Sequence, residues 1–328
     1  MVLCAILVWI VIVCGIIFAV RKYLWSLRIS DLTGKTSVIS GCDTGFGYLL
    51  ALRLVSLGLP VIAGCYTEKG AENLKKASRH SPLLKTYNLD VSKNDSVEKF
   101  KDFVAKETGN KGIWAAVANA GILGATGPDD WLNADDYINT MQVNTFGVIR
   151  FIQAMKKFVK KQRGRVVIIA SVSGRTPRPT VGPYCVSKHA VEAYGDVIRH
   201  ELCDFNVKVS ILEPGFFSTD ITQTATKDLD NIWARLDKET KDEYGQTFFD
   251  DYKHSRFSRL SHCSSELTPV IDAYEHAILS VYPKSRYWVG LDSSLFYIPM
   301  ATLPTFLQNI LVSFIRRNRA MPQAVKNL

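Results

Sequence analysis

Thr36-Ser37-Val38-Ile39-Ser40-Gly41-Cys42-Asp43-Thr44-Gly45-Phe46-Gly47 joins a short apolar strand to a glycine-rich turn, and residues 48–57 continue as a helical run. The glycines fall as G-x-x-x-G-x-G between strand and helix. Gly41 permits the tight turn, Gly45 lets backbone approach a phosphate, and Gly47 allows close helix–strand packing. A helix N-terminus then offers free N–H groups and a positive dipole end to a pyrophosphate. A turn of purely structural purpose is the rival reading, and the placement between strand and helix favours the dinucleotide. Asp43 and Phe46 lie inside the turn and join its glycines as candidate cofactor residues.

Working outward, residues 60–66 read as a second strand. Its end normally selects the cofactor, through an acidic residue for a ribose 2′-hydroxyl or an Arg for a 2′-phosphate. Cys65 and Tyr66 stand there, so neither rule applies. The lack of a local Arg tilts the reading towards NAD, and nearby Lys69 keeps NADP open. Residues 84–91, 113–120, 165–171, 207–212 and 286–290 supply further apolar strands, with helical stretches at 95–107 and about 134–160 between them. This alternation predicts an α/β fold, a doubly wound parallel sheet of about seven strands with helices on both faces. Residues 216–265 break the rhythm with many charges and interspersed Trp233, Tyr244, Phe248, Phe249, Tyr252 and Phe257. An insertion just past a strand's C-terminal end reads as a substrate lid or as a packed pair of surface helices.

Chemistry concentrates in Tyr184-Cys185-Val186-Ser187-Lys188. On a helix, residues four apart share a face, so Tyr184 and Lys188 present a phenol and an ammonium to one pocket. A nearby positive charge lowers a tyrosine's pKa, as an acid/base exchanging protons with an alcohol requires. One such pair by itself is also what a solvated helix carries by chance.

The totals narrow the class. A chain of 328 residues with 47% hydrophobic content fits one α/β domain with extensions. Seven scattered Cys without a C-x-x-C pair argue against a disulfide framework and against zinc. Cys42 and Cys185 read as small buried fillers rather than reactive thiols. The net charge of +9 comes with no nucleic-acid motif, so an anionic membrane surface is the simpler partner.

Both ends fit that partner. Residues 2–20 carry no charge and are about as long as a bilayer-crossing helix requires. Arg21, Lys22 and Arg28 follow, with Tyr23 and Trp25 suited to the interface. A cleaved signal peptide is the alternative, and the missing basic n-region and missing small-residue cleavage site weigh against it. The basic flank places the catalytic domain in the cytosol by the positive-inside rule, while a single anchor leaves the lumenal side open. Residues 294–315 form a second apolar region, broken by Pro299 and Pro304. A segment lying in the membrane interface, with Arg316, Arg317 and Arg319 at the head groups, or a helix packed on the domain, accounts for it. The expected divisions are an anchor at 1–28, a catalytic domain at 29–292 and a membrane-associated segment at 293–328.

Gly41 to Gly47, Asn119-Ala120-Gly121, Ser171 and the Tyr184/Lys188 pair follow in the order and spacing of the short-chain dehydrogenase/reductase family, which the chain resembles over roughly residues 33–290. Asn144 stands at the family's fourth catalytic position. The family often has two Asn before the Ala-Gly, and here the first is Ala118. Thr67 to Glu72, Glu213-Pro214-Gly215-Phe216-Phe217, Tyr244-Gly245 with Asp251-Tyr252, and Pro299-Met300 with Pro304-Thr305-Phe306-Leu307 are similar to the membrane-bound retinol and hydroxysteroid dehydrogenase branch.

The resemblance implies a Rossmann-like fold, NAD(H) as cofactor, and a lipophilic retinoid or steroid alcohol as substrate. It further implies residence at the endoplasmic reticulum membrane and a possible homodimer through helices near 134–160 and 184–204. It also implies roles. Tyr184 takes the hydroxyl proton, Lys188 lowers its pKa and holds the nicotinamide ribose, and Ser171 donates to the developing carbonyl oxygen. Asn144 fixes a water that links Lys188 to solvent. Asp90 and Val91 flank the adenine, and Asn119, Ala120 and Gly121 the adenosine. Pro214, Gly215 and Thr219 meet the nicotinamide. An NADPH-dependent carbonyl reductase and a catalytically silent lipid- or nucleotide-binding membrane protein are the competing expectations.

Overall fold

Every residue of Val61–Cys65 and of Arg165–Ile169 is buried, as strands covered on both faces must be. The computed structural model, which describes residues 2–32, 34–219, 228–261, 263–316 and 321–326, assembles seven such strands into one sheet. They are β1 (Ser37–Ser40), β2 (Val61–Cys65), β3 (Leu84–Asn88), β4 (Ala115–Ala118), β5 (Arg165–Ile169), β6 (Lys208–Pro214) and β7 (Arg286–Val289). All neighbours run parallel, in the order β3-β2-β1-β4-β5-β6-β7. Ser37 lies opposite Val61 on one side and Ala115 on the other. The order therefore reverses between β1 and β4, and a crevice opens beyond their C-terminal ends.

Apolar helix faces close both sides of the sheet. On one side, α2 (Gly45–Ser56) contributes Leu50 and Leu54. Beside it, α11 (Thr268–Leu279) contributes Ile271, Tyr274 and Ile278. On the other side lie α4 (Asn94–Thr108), α6 (Val148–Gln162) and α7 (Gly182–Cys203), with Phe100, Phe151, Met155 and Val191. Each large apolar side chain buried this way contributes roughly 1.5–3 kcal/mol. Between β2 and β3, α3 (Glu68–Ala77) is capped by Thr67, whose hydroxyl accepts from the Gly70 N–H at 3.0 Å.

Two boundaries differ from the sequence reading, and both bear on the site. The helix after the glycine turn begins at Gly45 rather than Tyr48, with Thr44 as an extended N-cap that makes no side-chain capping bond. The first-turn N–H groups are thus not taken by a side-chain cap. The helix expected over about 134–160 is two helices, α5 (Ala134–Met141) and α6, joined by a π-turn at Gln142–Gly147. Such π-turns gather at functional positions, and this one carries Asn144.

Residues 216–265 are helical from Leu229 onwards: α8 (Leu229–Arg235), α9 (Lys238–Tyr244) and α10 (Gln246–Ser261). Residues 220–227 of the expected lid lie outside the described residues. Trp233, Tyr244, Phe248, Phe249 and Tyr252 close around buried Trp131, with ring centroids 5.2–6.0 Å from it. This third apolar cluster clamps the insertion onto the segment that leads into α5.

At the N-terminus, α1 (Val2–Ser26) includes an 18-residue stretch, Trp9–Ser26, with mean hydropathy 1.6 and none of it buried. It is long and apolar enough to cross a bilayer. Its exit is stitched to the domain: Ile29 N–H donates to Leu279 O at 2.9 Å, and Val281 N–H to Leu27 O at 2.9 Å. At the other end, α13 (Thr305–Arg316) follows the short α12 (Ile298–Ala301) and presents Phe306, Ile310 and Phe314 to solvent at four-residue spacing. Arg317 and Arg319 lie outside the described residues.

Candidate active site

The glycine turn and the β4 end are fitted to one another. A Cβ on Gly41, which has φ +72°, would sit 2.7 Å from the Ala120 Cα. The Asn119 side chain clips this junction by donating to Ser40 O at 3.1 Å and Gly41 O at 2.8 Å, and it accepts from Tyr274 at 3.0 Å. Gly47 is as confined, with a Cβ 2.3 Å from Gly41 O. Gly45, φ +62°, leaves its Cβ position 3.7 Å from Thr219 across the crevice. Asn119 thus serves the turn that receives the ligand.

The crevice is a cleft of about 820 Å³. One end is lined by Gly41, Asp43, Gly45, Phe46, Asp90 and Val91, with Ala120 and Gly121 along its wall. Tyr184 and Lys188 stand further in, with Pro214, Gly215 and Thr219 opposite. The predicted cofactor residues therefore come together, with two exceptions: Gly47 sits behind the turn against Gly41 O and the Asn119 amide, and Cys65 lies in the core. Cys65 does not line the cleft; it is fully buried in the core under β2, where burial pushes its thiol up to about 12. Tyr66 and Thr67 hold the cleft edge instead. Asp43, unassigned beyond the motif by its sequence, reaches this edge and accepts from Tyr66 N–H, Thr67 N–H and the Thr67 hydroxyl, each at 2.8 Å. Lys69 is exposed and away from the cleft.

The catalytic candidates also converge. Ser171 follows β5 and does two things: its hydroxyl accepts from Ser173 N–H at 3.2 Å and is hydrogen-bonded to the Tyr184 phenol. Lys188, buried on α7, donates to Ile169 O at 2.9 Å, with its Nζ 5.6 Å from the centroid of the Tyr184 ring. Asn144 is buried and its amide is fully engaged, donating to Ile122 O at 2.8 Å and Ser187 Oγ at 3.0 Å and accepting from Ile122 N–H at 2.8 Å. Its side chain ties the β4 exit to α7.

The electrostatics correct another expectation. Burial raises the Tyr184 pKa above that of a free tyrosine; the Ser171 hydrogen bond and the Arg178 charge oppose this, and Lys188 is not among the lowering influences. Burial brings the Lys188 ammonium down to about 8, with Glu192 working the other way. At neutral pH the Tyr184 phenol is protonated. It can donate to a carbonyl at once, but must lose its proton before accepting one from an alcohol. Alcohol oxidation should therefore climb as pH rises above neutrality while carbonyl reduction does not. Initial rates in both directions across pH check this, and an oxidation rate that falls on alkalinisation contradicts it. Burial also raises the thiols of Cys42 and Cys185, as fits inert fillers.

A sequence model described as short chain dehydrogenase matches residues 35–230. The chain belongs to that family. Over 286 residues it is 43% identical to retinol dehydrogenase 7 of Rattus norvegicus, covering 87% of this chain and 89% of the relative. Over 302 residues it is 40% identical to 17-beta-hydroxysteroid dehydrogenase type 6 of Homo sapiens, covering 91% and 94%. A Burkholderia phymatum short chain dehydrogenase/reductase in complex with NAD superposes with a TM-score of 0.70 at 21% identity, over 90% of this chain and 99% of that one. As a family member the chain is an oxidoreductase of CH–OH groups that uses a nicotinamide dinucleotide. The glycine cradle fits that cofactor, since Gly45 and Gly121 keep the cleft open where a side chain would intrude.

Sequence reasoning missed three elements: the Asp43 clamp, the π-turn under Asn144, and two arginines, Arg178 and Arg256, that line the cleft near Tyr184. Arg178 carried a usable signal. It lies between Ser171 and Tyr184, in a segment that must run past the reacting centre.

Proposed function

We propose that this chain oxidises a lipophilic alcohol of retinoid or hydroxysteroid type with NAD, at an endoplasmic reticulum membrane that it enters through α1. The observation that carries this reading is the meeting of Tyr184, Ser171 and Lys188 beside a cleft whose far end is lined by Ile122, Leu123, Val143 and Phe216. An apolar cavity beside a proton-exchanging phenol suits a water-poor substrate. The names of the relatives support the same class.

The chain's residues divide the work. Gly41, Gly45, Gly47 and the first turn of α2 hold the pyrophosphate, with Asp90, Val91, Asn119, Ala120 and Gly121 towards the adenosine. Pro214, Gly215, Thr219 and Lys188 position the nicotinamide half. A bound dinucleotide would supply the acceptor for the hydride of the carbinol carbon. Tyr184 receives the hydroxyl proton, Ser171 donates to the oxygen as it becomes a carbonyl, and Lys188 supplies positive charge beneath them. Asn144 positions α7 through Ser187.

Asp43 supports NAD over NADP. Its carboxylate sits at the β2 end, where an acidic group meets a ribose hydroxyl and repels a 2′-phosphate. Replacing it with Asn should narrow the NAD-over-NADP ratio of kcat/KM by about tenfold, since one like-charge repulsion of ~1.4 kcal/mol corresponds to that factor. The test uses membranes holding the full chain, with NAD or NADP and all-trans-retinol, a 3α-hydroxysteroid and a 17β-hydroxysteroid. NAD-dependent turnover of one of them is the expected result. Reduction of carbonyls by NADPH alone would move the reading to the reductase. The exposed apolar faces of α13 and α1 support membrane contact, and exposed Ile138, Val186 and Val197 on α5 and α7 support a homodimer.

A further inference from the structure

The two apolar extensions of the domain join it at opposite ends of one strand. The exit of α1 is fixed at the entry end of β7, where residues 27–29 pair with 279–281. From α11, His276 Nε2 donates to Trp25 O at 2.8 Å. From the segment that leads into β7, Lys284 Nζ stands 4.1 Å from the Trp25 ring centroid. The start of the domain is thereby tied to the end of α1. Past the other end of β7, Tyr297 O accepts from the Thr176 hydroxyl at 2.9 Å, beyond the C-terminal end of β5. From there the chain passes through α12 to α13 with its exposed Phe306, Ile310 and Phe314. β7 itself is the last strand of the sheet, and among the described residues no strand pairs with its outer edge.

The surface between these two extensions is apolar. Tyr282 before β7 is 50% exposed, Trp288 on it 53%, and Leu291 and Leu295 just after it 80% and 74%. Leu291 and Leu295 stand four residues apart in helical backbone, on one face. Residues 281–316 hold one carboxylate, Asp292, and it is turned to accept from Phe216 N–H at 2.7 Å. A run of exposed apolar side chains marks a surface that meets an apolar partner. Tyr and Trp among them suit the boundary between membrane and water.

A bilayer across the N-terminal ends of the strands would receive α1 and leave α13 in water. One across their C-terminal ends would do the reverse. A bilayer alongside β7 meets both. We propose that the catalytic domain lies on the bilayer along its β7 edge, with Tyr282, Trp288, Leu291 and Leu295 in the interface between α1 and α13. The proposal rests on the membrane anchoring in the reading above and adds the face that docks. The turn that carries Leu291 also carries Asp292, which supports Phe216 at the apolar end of the cleft. Lipid and cleft then lie on two sides of one turn, a short route for a lipophilic alcohol.

The test reads tryptophan emission from the full-length chain in phosphatidylcholine liposomes, with the lipid either ordinary or brominated on its acyl chains. Bromine quenches a tryptophan that touches lipid. Of the six Trp, Trp9 and Trp25 lie on α1, whereas Trp114 and Trp131 are buried in the domain. Trp288→Phe should remove about a third of the quenched emission, the share of one ring among Trp9, Trp25 and Trp288. Leu291→Asp combined with Leu295→Asp should lower the quenching as well, with Trp288 still present, because two carboxylates resist leaving water. Retained NADH binding verifies the fold of each variant. Quenching unchanged by Trp288→Phe overturns the proposal, and a second copy covering the β7 edge would give that result by shielding Trp288 from lipid. Trp9→Phe separates the two levels. If it lowers the quenching and Trp288→Phe does not, α1 enters the bilayer and only the docked edge falls. If Trp9→Phe changes nothing, the anchoring by α1 falls.

Discussion

Replacing Tyr184 with Phe should lower kcat by about a thousandfold, within the ~10²–10⁴ that a positioned acid/base contributes. The ring remains, so packing on α7 is kept, and Lys188 retains its bond to Ile169 O. Ser171 loses its phenol partner but keeps the Ser173 N–H. A hydrogen bond of this kind is worth only about 1 kcal/mol net, so the thermal midpoint should move by a few degrees at most. Binding of NADH should survive, because the glycine turn and the Asn119 clip are untouched. Stopped turnover with intact NADH binding is the signature, read by steady-state kinetics beside NADH fluorescence titration. Parallel losses of binding and rate would make Tyr184 a packing residue.

The second large effect lies behind the site. Arg286 on β7 binds Glu192 and Glu213 through Nη1 and Asp196 through Nη2, while Arg175 reaches Glu213 at 3.4 Å. Glu213 is fully buried, and Glu192 lies one turn beyond Lys188 on α7. Burial, and then the Glu213 charge, already raise the Glu192 pKa against the pull of Arg286. Arg286→Met would leave two buried carboxylates with only Arg175 nearby. Removing one partner of a buried ion network costs about 3–5 kcal/mol.

The pH dependence has a defined sign. In the variant Glu192, already raised by burial and the Glu213 charge, loses the pull of Arg286, so its folded pKa lies still further above its unfolded one. Its favourable contribution is present below the unfolded carboxylate range and is lost as pH rises through the folded value. The stability gap between variant and parent should therefore be widest near neutral pH and narrow on acidification, as urea melts at several pH values would show. A constant gap would mean that the network is electrostatically idle. NADH affinity should fall as well, because Glu213 leads directly into Pro214 and Gly215 at the cleft.

Much of this was readable before the fold was known, for identifiable reasons. The glycine turn is local: strand, turn and helix are consecutive, and spacing alone dictates where backbone can approach a phosphate. The Tyr184/Lys188 pair is also local, since helical periodicity brings the two together. What was lost depends on neighbours distant in the chain. Cys65 was placed at the cofactor because the last residue of β2 approaches the cleft, yet its side chain points into the core. The carboxylate that takes up that edge comes from Asp43, in a turn that only the β1–β2 pairing brings alongside. The expected lowering of the Tyr184 pKa gives way to burial, which raises it against the Ser171 hydrogen bond and the Arg178 charge. The π-turn at Gln142–Gly147 has no periodicity signal, since it adds its extra residue inside an otherwise continuous helical pattern. Arg178 and Arg256 are joined only by the fold of the insertion over the cleft.

The central claim is that this chain moves hydride from a carbinol carbon to NAD while Tyr184 takes the proton. The most direct measurement supplies membranes containing the chain with NAD and an alcohol deuterated at the carbinol carbon, and determines the mass of the reduced cofactor. The account predicts monodeuterated NADH, formed by the unaltered chain and not by Tyr184→Phe. Unlabelled NADH, or labelled NADH formed equally well by both proteins, would contradict it.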